Sequence, residues 1–345
     1  MVSKDGINWV SRTKTGYCGD RSTMFYNPFR KKWEFSLRSD DKMGGYNSRI
    51  GRARFYYETS DIISGASWTC PSEGKADAVF WCRATKYDQP DKNINIAPQL
   101  YNVNAVAYES LMLGWHQILV DENDVAMAAG RPKVTDLKFA FSRDGFNWYR
   151  SDYDNAISSA RVSGAWDRGY VQSVGGLCAV MGNQLWLWYI GFAGTTGREG
   201  ESASLHSNMA LGLAVLRRDG FVSMDGKGSL TTYPVTFKGK YLFVNINCPY
   251  GNFTAEVLDE KGNVVPGFEK EKCKPLNVDS TIAQVQWDGK SDLSSLSEKK
   301  VCLRFSQDSG EFYSFWVSGS TNGESNGYVA GGGPGFTGNR SECLW

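Results

Sequence analysis

Along most of this chain hydrophobic and polar positions alternate with a period of two, in short runs that read as strands with one covered face. The first group comprises Ser22–Tyr26, a turn at Asn27–Lys31, Lys32–Arg38 and Arg52–Tyr57. The second runs Tyr101–Tyr108, Leu111–Val120 and Leu137–Ser142, and the third Val171–Met181, a turn at Gly182-Asn183, Leu185–Phe192 and Met209–Leu216. Each group reads as inner strand, hairpin, second strand, long loop and third strand before an Asp-Gly turn, which is the plan of a β-propeller blade. About three blades are counted, fewer than a closed ring needs. After Asp219 the texture changes to short strands with tight turns: Leu230–Thr232, Tyr241–Asn245, Ala255–Asp259, Val301–Phe305 and Phe312–Trp316. That pattern predicts a β-sandwich. The expected fold is therefore all-β: a partial, about three-blade propeller over residues 1–224, a sandwich over 225–320 and a Gly-rich tail over 321–345. The tail stretch Gly327–Phe336 suits either a flexible end or a backbone lying close against another surface.

Internal repetition is the sharpest signal. Ser3-Lys4-Asp5-Gly6-Ile7-Asn8-Trp9 recurs as Ser142-Arg143-Asp144-Gly145-Phe146-Asn147-Trp148, with a decayed copy at Arg217–Phe221 and a weak relative in Ser60-Asp61 followed by Trp68. In each good copy Gly accepts positive φ, the Asp side chain caps nearby backbone N–H groups, and the Trp is expected to pack between layers. These residues read as structural. The chain opens inside such a motif, and with about three blades counted the expectation is either that blades before Ser3 are missing or that the architecture is not a closed ring; MVSKDGINWVSRTKTG has no apolar core of a secretory signal.

Composition narrows the function classes. Thirty-eight Lys+Arg against 37 Asp+Glu leave a net charge of +1, no excess field for gripping nucleic acid. The most apolar stretch, Leu185–Gly194, is shorter than the roughly 18 residues a membrane helix needs, so no membrane span is expected. Aromatic residues make up 14% of the chain, enough to fill blade interfaces and leave rings over for a binding surface. The eight Cys show no C-x-x-C spacing, which argues against a zinc ribbon. Disulfides such as Cys248 with Cys273 or Cys70 with Cys82 and buried free thiols both remain open.

Several motifs together carry a resemblance: Gly19-Asp20-Arg21-Ser22-Thr23 followed by FYNPFRKKW, the SRDGFNW turns, the blade ending LGLAVLRRDGFVSM, and the elements Pro266-Gly267-Phe268, Asp279-Ser280-Thr281 and Phe312–Trp316. Over Ser3 to Phe336 the chain resembles glycoside hydrolase family 32. The resemblance implies a propeller of five-bladed type, incomplete at its N-terminal side, followed by a β-sandwich, and a carboxylate pair on the propeller axis that cleaves glycosidic bonds without a cofactor or metal. It places Asp20 where the family holds sugar hydroxyls and steadies the transition state, with Arg21 beside it to keep it ionised. It implies an oligo- or polysaccharide partner, and a secreted or periplasmic location for the full-length form.

Position along the inner strands sorts the other candidates. Asp167, in Trp166-Asp167-Arg168, precedes the third inner strand and is the second catalytic candidate beside Asp20. Glu109 lies seven residues past Asn102, too far along the strand for the same site, and reads as a turn residue. The position where the family acid is expected holds Tyr101-Asn102, groups that bind hydroxyls but do not protonate a leaving group at neutral pH. Arg21, Asn102, Trp115, His116 and Gln172 are the substrate-contact candidates, His116 reading first as a satisfied half-buried histidine. Trp81, Trp115 and Trp166 are candidate stacking platforms, although most propeller Trp pack between blades. Glu199 and Glu201 read as a solvated loop. Two functions follow: a glycoside hydrolase-like enzyme, or a carbohydrate-binding fragment without catalysis.

Overall fold

The computed structural model describes residues 1–10, 13–38, 51–128, 132–150, 152–194, 206–290 and 292–342. The protein is all-β, 44% strand and 4% helical. Glu199 and Glu201 lie outside the described residues. Two compact units form, one from residues 1–178 and 187–214, the other from 179–186 and 215–345.

In the first unit a two-stranded hairpin, β1 (Val2–Ser3) and β2 (Trp9–Val10), precedes an antiparallel sheet of β3 (Thr23–Asn27), β4 (Lys32–Arg38), β5 (Ala53–Thr59) and β6 (Val79–Arg83), hydrogen-bonded in chain order. The β3–β4 turn forms because Asn27 Oδ1 accepts the N–H groups of Phe29 and Arg30, at 3.1 and 3.2 Å. The next sheet continues with β7 (Gln99–Glu109), β8 (Leu111–Leu119) and β9 (Thr135–Ser142), again antiparallel. Glu109 ends β7 with φ 48, the turn residue its position predicted. A short helix, Asn123–Ala128, sits in the β8–β9 connection. A third sheet has the order β10 (Tyr170–Met181), β11 (Gln184–Phe192), β12 (Met209–Arg217). Three successive sheets thus match the three groups read from the sequence, with β6 as an addition: Val79-Phe80-Trp81-Cys82-Arg83 does not alternate and gave no strand signal.

The three first strands lie side by side. Thr23 Oγ1 on β3 donates to the Val103 carbonyl on β7 at 2.5 Å, and Asn104 Nδ2 on β7 donates to Ser173 Oγ on β10 at 2.7 Å. Between the outer parts of the first two sheets the aromatic residues close the gap. Trp148 faces Phe25, Trp81 and His116 with ring centroids 6.5, 6.4 and 5.7 Å away. It also lies flat on Gly114, where any Cβ would collide with the indole. Of the two repeat tryptophans, Trp148 therefore packs between layers as its motif predicted, whereas Trp9 is exposed and does not.

In the second unit the sheets β13 (Met224–Asp225), β19 (Glu311–Ser318), β15 (Tyr241–Asn247), β17 (Asp279–Gln284) and β14 (Gly228–Thr231), β18 (Cys302–Gln307), β16 (Phe253–Leu258) enclose one apolar core. Phe253, Phe305 and Phe312 meet at 4.8 to 5.8 Å, and Trp287 Nε1 donates to the Ala255 carbonyl at 3.0 Å, which satisfies the single polar atom its burial strands. After β20 (Tyr328–Val329) the Gly-rich tail runs along Val180, whose N–H donates to the Gly332 carbonyl at 2.8 Å. Gly333 packs so closely on the Val180 carbonyl that no side chain fits there. Of the two readings of the tail, close backbone approach is the one observed.

The seven described cysteines are free thiols, so neither Cys248–Cys273 nor Cys70–Cys82 is bonded. Burial pushes the Cys82 and Cys178 thiols up to about 12, which leaves both unreactive. Among the described residues no helix is long and apolar enough to cross a membrane.

Candidate functional site

The starts of β3, β7 and β10, with the middle strand β8, bring polar side chains together in the first unit. Arg21, held at φ 59 just before β3, donates from Nη2 to Gln117 Oε1 on β8 at 3.2 Å. Gln117 in turn donates from Nε2 to the Val171 carbonyl on β10 at 2.7 Å. A buried amide thus fixes the guanidinium between three strands. Asn102 is buried at a bulge in β7, where its Oδ1 accepts from Thr23 Oγ1 at 3.2 Å and from the Val103 N–H at 2.7 Å. Gln172 is half-buried on β10.

Two tyrosines form the floor. Tyr101 on β7 and Tyr170 on β10 meet edge to face at 5.9 Å, and His206 sits 4.8 Å from Tyr170. Cations stand over both rings: Arg21 is 5.8 Å from the Tyr170 centroid, while Arg52 and Lys133 are 5.6 and 5.2 Å from Tyr101. Burial raises the Tyr101 phenol, but Lys133 and Arg52 outweigh it and hold the group below the usual tyrosine range. Tyr170, more deeply placed, is pushed above that range by burial. Burial, then Lys133 and Arg21, depress His206, so its imidazole is neutral at physiological pH.

The carboxylates sit at the edge of this cluster. Asp20 is ion-paired with Arg38 and its side chain is 56% exposed. The expectation that Arg21 is its partner is corrected: Arg21 turns to Gln117, because its left-handed backbone aims the side chain at β8 instead of along β3. Arg54, 1% exposed, donates from Nη1 to the Arg21 carbonyl at 3.0 Å and pins that backbone. Glu122 is held by Arg52 at 3.2 Å and by Gln99. Asp167 accepts from Tyr189 Oη on β11 at 3.3 Å, beside Trp166. Trp166 is 40% exposed and lies 5.5 Å from Tyr189, leaving it a usable ring surface.

Two substrate-contact candidates lie in the protein interior. Trp115 is 2% exposed and packs on Phe139 at 4.6 Å. His116 is 4% exposed, and burial with the neighbouring Arg150 depresses it to about 3, so it stays neutral and donates no proton. Both belong to β8, a strand covered on both faces, and for that reason neither reaches a sugar. Trp81 is spent likewise between Tyr56 and Phe146, its Nε1 donating to the Phe146 carbonyl at 2.7 Å.

Sequence reasoning missed Arg52, Arg54, Lys133, Tyr170 and His206. The only signal was Arg52-Ala53-Arg54 placing two cations two residues apart on one face of a strand start. A cleft of about 340 Å³ beside β8 and β9 also holds aspartates, among them Asp91 and Asp136. Arg161 neutralises both, at 2.7 and 2.6 Å, so this cleft offers no free carboxylate pair from them. Among the described residues no group of three or more His, Cys, Asp or Glu is placed to hold a metal.

No family model matches this chain, and no curated protein does. Solved structures align with it at low identity and low TM-score. An N-acetylgalactosamine deacetylase from F. plautii in complex with blood group B trisaccharide is 13% identical, with a TM-score of 0.34 over 56% of this chain and 48% of that one. A family 32 β-fructofuranosidase from Bombyx mori is 10% identical, with a TM-score of 0.28 over 85% and 65%. A family 43 arabinoxylan arabinofuranohydrolase from Bacillus subtilis in complex with cellotetraose is 10% identical, with a TM-score of 0.26 over 90% and 69%. This chain therefore spans about half the length of the first and just under two thirds of the second. At these scores the likenesses assign no role to any residue.

Proposed function

We propose that this protein is a glycoside hydrolase-like, carbohydrate-active protein whose sugar site is the cluster at the starts of β3, β7 and β10. The observation that carries the reading is convergence: Asn102, Gln117, Tyr101 and Tyr170, buried on the three strands β7, β8 and β10, back the half-buried guanidinium of Arg21 just before β3, with Asp20 exposed at the rim. A held guanidinium beside an exposed carboxylate matches the hydroxyls of a sugar. Asp20 is the residue proposed to stabilise positive charge developing at the anomeric carbon, and Asp167, beside the exposed Trp166, is proposed as the second carboxylate.

The test is turnover on a panel of aryl glycosides and oligosaccharides. Asp20→Asn lowers turnover by about 100-fold or more, roughly 2.7 kcal/mol in barrier, with little change in melting temperature. Preserved activity per folded molecule overturns the assignment of Asp20. One observation favours the second reading, a carbohydrate-binding protein without catalysis: Asp20 and Asp167 are held by different partners, Arg38 and Tyr189. Sugar binding that survives Asp20→Asn, with no turnover on any substrate, identifies that case.

A further inference from the structure

We propose that the saccharide bound at this cluster is acidic, its carboxylate or sulfate group held by Arg21 and Arg52 in the field of Arg54 and Lys133; the inference rests on the carbohydrate reading above and deepens it. Five cationic side chains gather at the starts of β3 and β5 and beside β7: Arg21, Arg38, Arg52, Arg54 and Lys133. Two have carboxylate partners, Asp20 for Arg38 and Glu122 for Arg52. The other three are matched to neutral groups, the Gln117 amide, the Arg21 carbonyl and the Tyr101 ring. Among the described residues no carboxylate pairs with Arg21, Arg54 or Lys133. A whole-chain net charge of +1 makes so local an excess conspicuous.

The guanidinium groups also have unused donors. The Nε–H of Arg21, Arg38, Arg52 and Arg54 is buried without an acceptor in every case. Buried donors left unpaired are costly, and charged ones most of all. Arg54 shows the strain of crowding: burial, with Arg21 and Arg38 adding repulsion, brings its guanidinium down to about 9. A neutral sugar supplies hydroxyls to such a site but leaves the charge excess standing. A planar carboxylate or a sulfate supplies two or three oxygens with charge, which is what a fork of guanidinium donors fits. Access is present, since Arg52 keeps 16% of its side chain exposed and His206 at the edge is exposed.

The experiment measures binding to matched pairs that differ only in charge: a galacturonate trimer and its methyl ester, and a sulfated chondroitin disaccharide and its desulfated form. The acidic member of one pair binds about ten-fold or more tightly than its neutral partner at low salt, and the gap narrows as ionic strength rises. The pair that shows the effect tells carboxylate from sulfate recognition. Arg21→Gln removes the difference, whereas Arg21→Lys keeps part of it. Should Arg21→Gln melt far below wild type, Arg52→Gln, whose side chain reaches solvent, serves in its place. Equal binding of acidic and neutral members overturns the inference while leaving the carbohydrate reading intact. Binding of no saccharide at all overturns both.

Discussion

The turn closed by Asp5 and the turn closed by Asp144 carry the same bonds in different surroundings. In each, the Gly N–H donates to the Ser hydroxyl at 2.8 Å. The Asp carboxylate accepts two backbone N–H groups at 2.7 to 2.9 Å, and the Asn side chain donates to its second oxygen at 2.7 Å. Around Asp5, however, Ile7 is 81% and Trp9 56% exposed. Around Asp144, Phe146 meets Tyr56 edge to face at 4.9 Å and Trp148 fills the space over Gly114. Closing the turn is a local matter of seven residues. Burying its aromatics depends on a sheet beside it, and in this chain only the second copy has Phe25, Trp81 and Gly114 waiting.

The largest expected effect tests that split directly. Trp148→Ala costs about 4 kcal/mol of stability by opening a cavity between two sheets, while Trp9→Ala changes it by less than about 0.5 kcal/mol. Denaturant melts of the two variants give the difference, and equal effects would break the comparison.

Glycine substitution comes next. Gly6 and Gly145 both have positive φ, 75 and 77, so Ala strains either turn by about 1 kcal/mol. At Gly6 nothing stands near the new Cβ, whereas at Gly145 it meets Glu34 and Asn27. Gly145→Ala is therefore expected to cost about 3 kcal/mol. If both variants melt alike, packing adds nothing at Gly145.

Glu34 adds a pH dependence that the Asp5 turn lacks. Burial raises its carboxyl to about 7, and Asn27 and Arg30 offset only part of this. The folded state therefore favours the protonated acid. Its contribution is fully present below the unfolded value near 4.5 and is lost as pH rises through about 7. Glu34→Gln should raise stability by about 2 kcal/mol at pH 8 and leave it near wild type at pH 4. Melting temperatures across that range check the sign.

The smallest effect concerns the capping aspartates. Burial raises Asp144, but the Asn147 and Phe146 N–H groups and the Asn147 and Ser142 side chains prevail and hold it at about 2. Its stabilisation is thus present above about pH 4 and lost as pH falls through 2. Asp144→Ala costs about 1 kcal/mol globally. Asp5→Ala leaves the global melt unmoved and shows only as faster hydrogen exchange of the Ile7 and Asn8 amides. A global loss from Asp5→Ala would mean the first hairpin is packed against something.

Strand content was legible because alternation and turn chemistry are local. Lys32–Arg38 was read to the residue, and Asp144 and Gly145 announced their turn by composition alone. Val79–Arg83 was not, since it joins the sheet by pairing with β5 and has no periodicity of its own. At the candidate site, Asp20, Arg21 and Asn102 were legible from their places at strand starts. That Asp20 pairs with Arg38 was not.

What the sequence determined by itself is the all-β class, the three groups of strands, the sandwich after them and the closed form of each Asp-Gly turn, because each depends on residues within about ten positions of one another. Tertiary structure decided which aromatic rings are spent on packing, as with Trp115 and Trp148, and which stay exposed, as with Trp166. It also gathered Arg21, Arg52, Lys133, Tyr101, Tyr170 and His206 into one place. Those residues are spread over most of the first unit and share no spacing. Only the approach of β3, β7 and β10, first strands of three separate sheets, shortens the distances between them enough for charge and ring to act together.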